Sequence, residues 1–106
     1  MSTDFQKEVW RSLELIPCGQ VTTYGEIARY LGRPRAVRAV GTAVGKNPRA
    51  PQVPCHRVVT ASGKIGRYSA TGGVKEKIRL LRAERVDIQS GKVKDFQKKL
   101  FKFKST

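Results

Sequence analysis

A chain of 106 residues suffices for one small domain with a modest core, and a single domain spanning 1–106 is expected over two. Its 22 Lys and Arg against 8 Asp and Glu leave a net charge of +14, more than solubility requires, so a polyanion is the expected partner and a generic basic surface the plainer alternative. The apolar runs are too short for a membrane span, residues 1–8 lack the order of a signal peptide, and two cysteines cannot build a disulfide framework. The expectation is a non-secreted protein, cytoplasmic (nucleoid-associated) or nuclear, without membrane contact.

In chain order, Thr3 and Gln6 have the spacing of a capping box. Phe5, Val9, Trp10, Leu13 and Ile16 then recur at helical intervals on one face, predicting a first helix ended by Pro17. Trp10 lies on that stripe and reads as a core anchor. Residues 21–23 suggest a short extended stretch. Thr23 and Glu26 repeat the capping-box spacing and open a short helix through Ile27, Ala28 and Leu31, which Gly32 stops. Pro34 suits the first turn of a third helix carrying Ala36, Val37, Val40, Ala43 and Val44. Helix, glycine-containing turn, helix is the layout of a helix-turn-helix, although many helix pairs share it. The third helix is rich in small residues and holds Gly41 and Gly45 against helix propensity. Small side chains permit close approach of either another helix or a DNA groove, and Arg33, Arg35 and Arg38 alongside favour the groove.

Gly45, Pro48, Pro51 and Pro54 mark residues 45–56 as a loop. Residues 58–60 read as a short strand, followed by a Ser62-Gly63 turn. Residues 74–83, after Gly72-Gly73, read as a helix with Ile78, Leu80 and Leu81 inward. Residues 91–106 form a basic tail in which Phe96, Leu100 and Phe103 have the spacing of an amphipathic terminal helix packed on the domain, its lysines making a solvated face. The fold class expected is mostly α with a short β element.

The chemistry concentrates in Pro54-Cys55-His56-Arg57. A thiolate is the nucleophilic form of cysteine, and a neighbouring imidazole or cation lowers the thiol pKa from about 8.5. Cys55 is therefore either an activated nucleophile or a small core residue beside a surface histidine, because neighbours on an extended segment point to opposite faces. A cysteine hydrolase would also need an oxyanion site and an orienting third group, and nothing singles one out. Zinc is not expected: Cys18, Cys55 and His56 are the only Cys or His groups and lack ligand spacing.

Beyond this point the sequence resembles a known family. Gly19-Gln20-Val21-Thr22-Thr23-Tyr24-Gly25-Glu26-Ile27-Ala28, Arg38-Ala39-Val40-Gly41, Lys46-Asn47-Pro48, Val53-Pro54-Cys55-His56-Arg57-Val58-Val59 and Gly66-Arg67-Tyr68-Ser69 resemble the active domain of the O6-alkylguanine-DNA alkyltransferases, over about residues 5–86. The resemblance implies a compact helical domain with a winged-helix-like helix-turn-helix, and single-turnover transfer of an alkyl group from O6-alkylguanine, with O4-alkylthymine a further substrate, to Cys55. It implies that His56 draws the thiol proton through a water, that Glu84 orients His56, that Asn47 braces the active-site turn, and that Tyr24 assists base flipping and donates to the departing guanine. Arg38 corresponds to a finger filling the gap in the duplex; Arg35, Ala39, Gly41 and Thr42 lie on the same DNA-facing helix or beside it. Val58, Tyr68, Ser69 and Lys77 correspond to the base pocket and its network. The expected partner is duplex DNA containing the lesion, bound through the minor groove largely without regard to sequence; no cofactor or metal is implied, and a monomer is expected.

Three features depart from the family pattern. By the resemblance, the family's separate N-terminal domain is expected to be absent, the stretch between Ser69 and Gly72 is about two residues longer, and Arg85 stands where glycine is usual, a helix C-cap position. Cys18 falls outside every motif and reads as a partly exposed bystander. Two further functions stay open: an alkyltransferase-like protein that binds and flags the lesion, a subgroup in which tryptophan commonly replaces the acceptor cysteine, and a helix-turn-helix regulator with a structural cysteine.

Overall fold

The computed structural model describes residues 3–70 and 72–104. Helix α1 (Asp4–Leu13) starts at the expected capping box: Thr3 Oγ1 accepts from the Gln6 N–H at 3.1 Å, and the Gln6 side chain accepts from the Thr3 N–H at 3.0 Å. Its stripe buries Val9 and Leu13 completely, Ile16 is buried just beyond, and the indole of Trp10 donates to the Ala43 carbonyl at 2.8 Å. Helices α2 (Tyr24–Tyr30) and α3 (Val37–Gly45) pack on each other and α3 packs on α1, which makes the helix-turn-helix.

Two expected local devices take other forms. At α2 only half of the capping box exists: Thr23 Oγ1 accepts from the Glu26 N–H, while the Glu26 carboxylate pairs with Arg29 instead. Pro34 is not in the first turn of α3. It follows Arg33 in a turn closed by the Ala36 N–H on the Arg33 carbonyl at 2.8 Å, where proline's fixed φ is equally suited, and α3 begins at Val37 without a side-chain cap.

Strand β1 (Thr22–Thr23) pairs in parallel with β2 (Val58–Val59), Thr22 opposite Val58 and Thr23 opposite Val59. Alternation along β2 joins two cores. Val58 belongs to the cluster of Val9, Leu13, Ile27, Val40, Ala43 and Cys55; Val59 belongs to that of Val21, Ile65, Leu81, Val86, Ile88 and Val93. Helix α4 (Gly73–Ala83) buries Leu81 fully and Ile78 partly, with Leu80 half-buried.

Strands β3 (Ile88–Gln89) and β4 (Lys92–Val93) form a hairpin that the sequence pattern does not predict. Ser90 and Gly91 both have positive φ, the signature of a tight hairpin turn. The tail also departs from expectation. Helix α5 (Phe96–Lys99) is one turn long, and the chain then extends beside Val21, with the Val21 N–H donating to the Lys99 carbonyl at 2.9 Å and the Phe101 N–H to the Val21 carbonyl at 2.7 Å. The unpaired backbone edge of Val21 takes hydrogen bonds that a longer helix would have kept internal. Phe103 stacks on Tyr30 at 4.6 Å and meets Phe101 edge-on, so the aromatics still anchor the tail.

Candidate active site

The residues of the cysteine motif are positioned by the loop before them. Asn47 Nδ2 donates to the Val53 carbonyl at 2.6 Å while its Oδ1 accepts from the Arg49 N–H at 3.1 Å, bracing residues 47–53. The Cys55 N–H donates to the same Val53 carbonyl at 2.8 Å, with Pro54 at φ −82° and ψ 68°, an inverse γ-turn for which proline is pre-set. A single 3-10 turn, Cys55–Arg57, follows and sends consecutive side chains in different directions.

Cys55 opens on a cleft of about 610 Å³ whose walls include Tyr24, Arg38, Gly41, Thr42, Tyr68 and Ser69. Seven residues named from the sequence thus meet around one space. Val44, Gly45, Lys46, Thr60, Gly66 and Arg67 complete its lining and were not foreseen as site residues. Gly66 and Arg67 lie within the motif block that ends at Ser69, which was the available signal. Gly45 has a local reason: a β-carbon there would stand 3.2 Å from Ser69 Oγ, so a larger residue would require the Ser69 side chain to shift.

Behind the cysteine runs a chain of hydrogen bonds. Arg57 grips Glu84 through Nε at 2.9 Å and Nη2 at 2.6 Å and donates through Nη1 to the Ile16 carbonyl at 2.8 Å; Glu84 Oε2 lies 3.1 Å from His56 Nε2. Burial raises the Glu84 pKa, but the bonds from Arg57 and His56 outweigh it and the carboxyl is held below its usual range. An ionised carboxylate only accepts, so Nε2 carries the His56 proton and Nδ1 keeps a bare lone pair. That Nδ1 is buried and has no hydrogen-bond partner among the described residues. Burial also pushes the His56 pKa down against the pull of Glu84, which leaves a neutral ring at pH 7.

The thiol departs from expectation. Burial pushes the Cys55 pKa up, against the smaller opposing effects of the Asn47 amide and the Lys77 charge. Arg57, the cation expected to lower it, is turned toward Glu84. Cys55 therefore rests as a thiol and needs a base to become a nucleophile. The Tyr24 phenol is also raised, first by burial, so it stays protonated and able to donate.

Two expected pocket residues lie outside the cleft. Val58 is fully buried in the core. Lys77 is fully buried as well and donates to the carbonyls of Val58 at 2.7 Å, Ile65 at 2.5 Å and Arg67 at 3.1 Å, so it frames the floor without lining it. Burial brings its ammonium down to about 8. Arg35 and Ala39 are exposed beside and on α3, outside the cleft lining. Glu84 keeps its reach to His56 because Arg85 adopts the left-handed conformation itself, at φ 67°. The Val86 N–H then bonds to the Leu81 carbonyl and the Arg85 N–H to the Arg82 carbonyl, both at 2.9 Å, a complete Schellman ending without glycine.

Residues 4–86 match the family model described as the 6-O-methylguanine DNA methyltransferase, DNA binding domain. The chain belongs to that family. Among curated methyltransferase relatives, the methylated-DNA–protein-cysteine methyltransferase of Shigella flexneri is 55% identical over 82 residues, covering 77% of this chain and 47% of that protein. The chain thus spans about half the length of the curated relatives it matches. Mycobacterium tuberculosis OGT, solved in complex with DNA, superposes with a TM-score of 0.76 at 52% identity over 80% of this chain and 52% of that one. Schizosaccharomyces pombe Atl1, solved with damaged DNA containing O6-carboxymethylguanine, gives 0.82 at 34% identity over 96% of this chain and 99% of that one. The mostly helical fold is shared with these methyltransferase-family structures.

Proposed function

We propose that this chain binds duplex DNA carrying O6-alkylguanine, with O4-alkylthymine as a further substrate, and takes the alkyl group onto Cys55. The observation that carries the reading is the Arg57–Glu84–His56 chain of hydrogen bonds ending beside a cysteine that opens on a cleft. A base stacked in a duplex cannot present O6 to sulfur, so it rotates into the cleft between Tyr24 and Tyr68 at a cost of roughly a few kcal/mol. Arg38, exposed on the rim, fills the gap left behind. The exposed small side chains of α3 let its backbone approach the minor groove, and the interactions there are largely independent of sequence.

His56 Nδ1 accepts the thiol proton, directly or through a water, and Glu84, held in place by Arg57, stabilises the imidazolium. The sulfur attacks the alkyl carbon, the S–C bond forms, and the C–O6 bond breaks with its electron pair going to the guanine. Tyr24 donates a proton to that leaving base and recovers one from the imidazolium. Thiol and alkylated base become thioether and guanine, with no other reactant in the balance. The thioether is stable, so the chain acts once.

A second reading is that the chain binds and flags the lesion without removing the group. The likeness to Atl1 over nearly that protein's whole length favours it; the presence of Cys55 opposes it. Digesting a duplex containing O6-methylguanine after incubation separates the two. The proposed transfer restores plain guanine in amounts equal to the protein added. A lesion that persists in the bound complex would replace transfer with flagging.

A further inference from the structure

The hairpin lies beyond residues 4–86, the part that matches the family, and it carries an arrangement of charge that the cleft does not explain. Lys64 stands directly opposite Lys92 in an antiparallel bridge, flanked by the Ile65 N–H on the Gly91 carbonyl and the Val93 N–H on the Gly63 carbonyl, both at 2.9 Å. Ile65 and Val93 face inward and are buried, so by alternation Lys64, Lys92 and Lys94 share the outer face. All three are exposed, and none is in an ion pair among the described residues. Asp87, whose carbonyl accepts from the Lys94 N–H, is not within ion-pair distance of it either.

Like charges directly opposite on a sheet repel and destabilise it. A polyanion laid across them turns that repulsion into attraction. The strip is also continuous with the cleft: the Thr60 N–H donates to the Lys64 carbonyl at 3.0 Å and Thr60 Oγ1 accepts from the Lys64 N–H at 3.1 Å, while Thr60, Gly66 and Arg67 line the cleft wall. From these observations we propose that Lys64, Lys92 and Lys94 form a second phosphate-binding strip, holding the backbone of the same duplex whose damaged base enters the cleft. The hairpin then extends the cleft wall formed by Thr60, Gly66 and Arg67. This inference rests on the proposed function for its choice of duplex.

The test is the salt dependence of binding to a lesion-containing duplex, with the K64Q/K92Q/K94Q variant compared with the parent chain and with K75Q, an exposed lysine of α4 outside the strip, as the control. Each phosphate that is no longer neutralised should reduce the slope of log affinity against log salt by about 0.9, so the slope of the triple variant should fall by up to about 2.7 while the control keeps the parent value. Removing the opposed charges should leave the thermal midpoint unchanged or raised, which separates weaker phosphate binding from a failure to fold. An unchanged slope and affinity in the folded triple variant, or an equal reduction in K75Q, would overturn the proposal. The slope is read from binding, so it decides the strip even if the parent chain transfers no alkyl group; that second result counts against the proposed function alone.

Discussion

The two sides of the cleft are built on opposite terms. The side behind Cys55 is closed: His56 is 2% exposed, Glu84 receives three hydrogen bonds from Arg57 and His56, and Lys77 donates to three carbonyls without touching solvent. The α3 side is open. Arg38, Ala39 and Thr42 are exposed, Gly41 is half-exposed, and no described residue fills the space in front of them. The closed side is satisfied by the protein itself, which suits groups that must hold proton positions. The open side leaves small residues and cations unpartnered, which suits a surface completed by a ligand. Substitutions in the hydrogen-bonded chain of the closed side should therefore slow transfer from any substrate, whereas those on α3 should affect only the steps that depend on the duplex.

The largest effect is expected from His56→Ala, which removes the imidazole proposed to take the Cys55 proton. Single-turnover transfer at neutral pH should fall by about 10²–10⁴, the usual range for general-base catalysis. A reduction below tenfold would mean that the thiol ionises without help. The pH profile sharpens the same point. His56 is lowered by burial, so the parent rate should hold at neutral pH and decline only as pH falls below the ordinary histidine pKa of about 6.5, where Nδ1 becomes protonated. In His56→Ala the rate should instead climb with pH beyond the ordinary thiol range, because burial raises Cys55. Stability should follow the same direction. A histidine whose folded pKa is depressed favours the folded state above its unfolded pKa, and that contribution is lost as pH falls toward the folded value.

On the open side, Arg38→Ala should slow transfer from duplex DNA by about tenfold to a hundredfold, since rotating a base out costs roughly a few kcal/mol. Transfer from free O6-benzylguanine should be nearly unchanged, and equal reductions on both substrates would contradict a role in flipping. Gly41→Ala offers a smaller and more pointed comparison. The nearest atom to a β-carbon there is Tyr24 Cδ1 at 3.9 Å, an ordinary van der Waals distance, so the helix should gain about 0.5–1 kcal/mol by thermal unfolding. Duplex binding should nevertheless weaken; unchanged binding would show that α3 does not approach the groove closely. The smallest effect is expected at Arg85→Gly, which should relieve left-handed strain and stabilise the chain by about 1 kcal/mol with little change in transfer.

What the sequence made legible follows the same division. Helix α1 could be read because five apolar residues and a capping box agree, and the turn between α2 and α3 because Gly32 and Pro34 punctuate it. The hairpin was missed because strands of two residues carry almost no alternation; Ser90-Gly91 between Gln89 and Lys92 was its only signal. The tail misled because Phe96 and Leu100 have helical spacing, while the decisive partner is the backbone of Val21, nearly eighty residues earlier. At the site, the motif identified the reactive residues but not the sign of the thiol shift, which depends on burial. It also could not show that Arg57 serves Glu84 instead of Cys55, since a 3-10 turn separates their directions. The motif cannot show that the Val58 side chain lies in the core and that Lys77 holds carbonyls beneath the cleft wall, because motifs do not distinguish a wall from the floor beneath it.

The central claim, that a buried thiol relayed through His56 is consumed in one step, is tested most directly on the protein itself. Intact-mass analysis and peptide mapping after incubation with excess duplex containing O6-methylguanine should show one methyl group per chain, on Cys55, and none on Cys18. Tight binding with no methyl on Cys55, or methyl divided between the two cysteines, would contradict it.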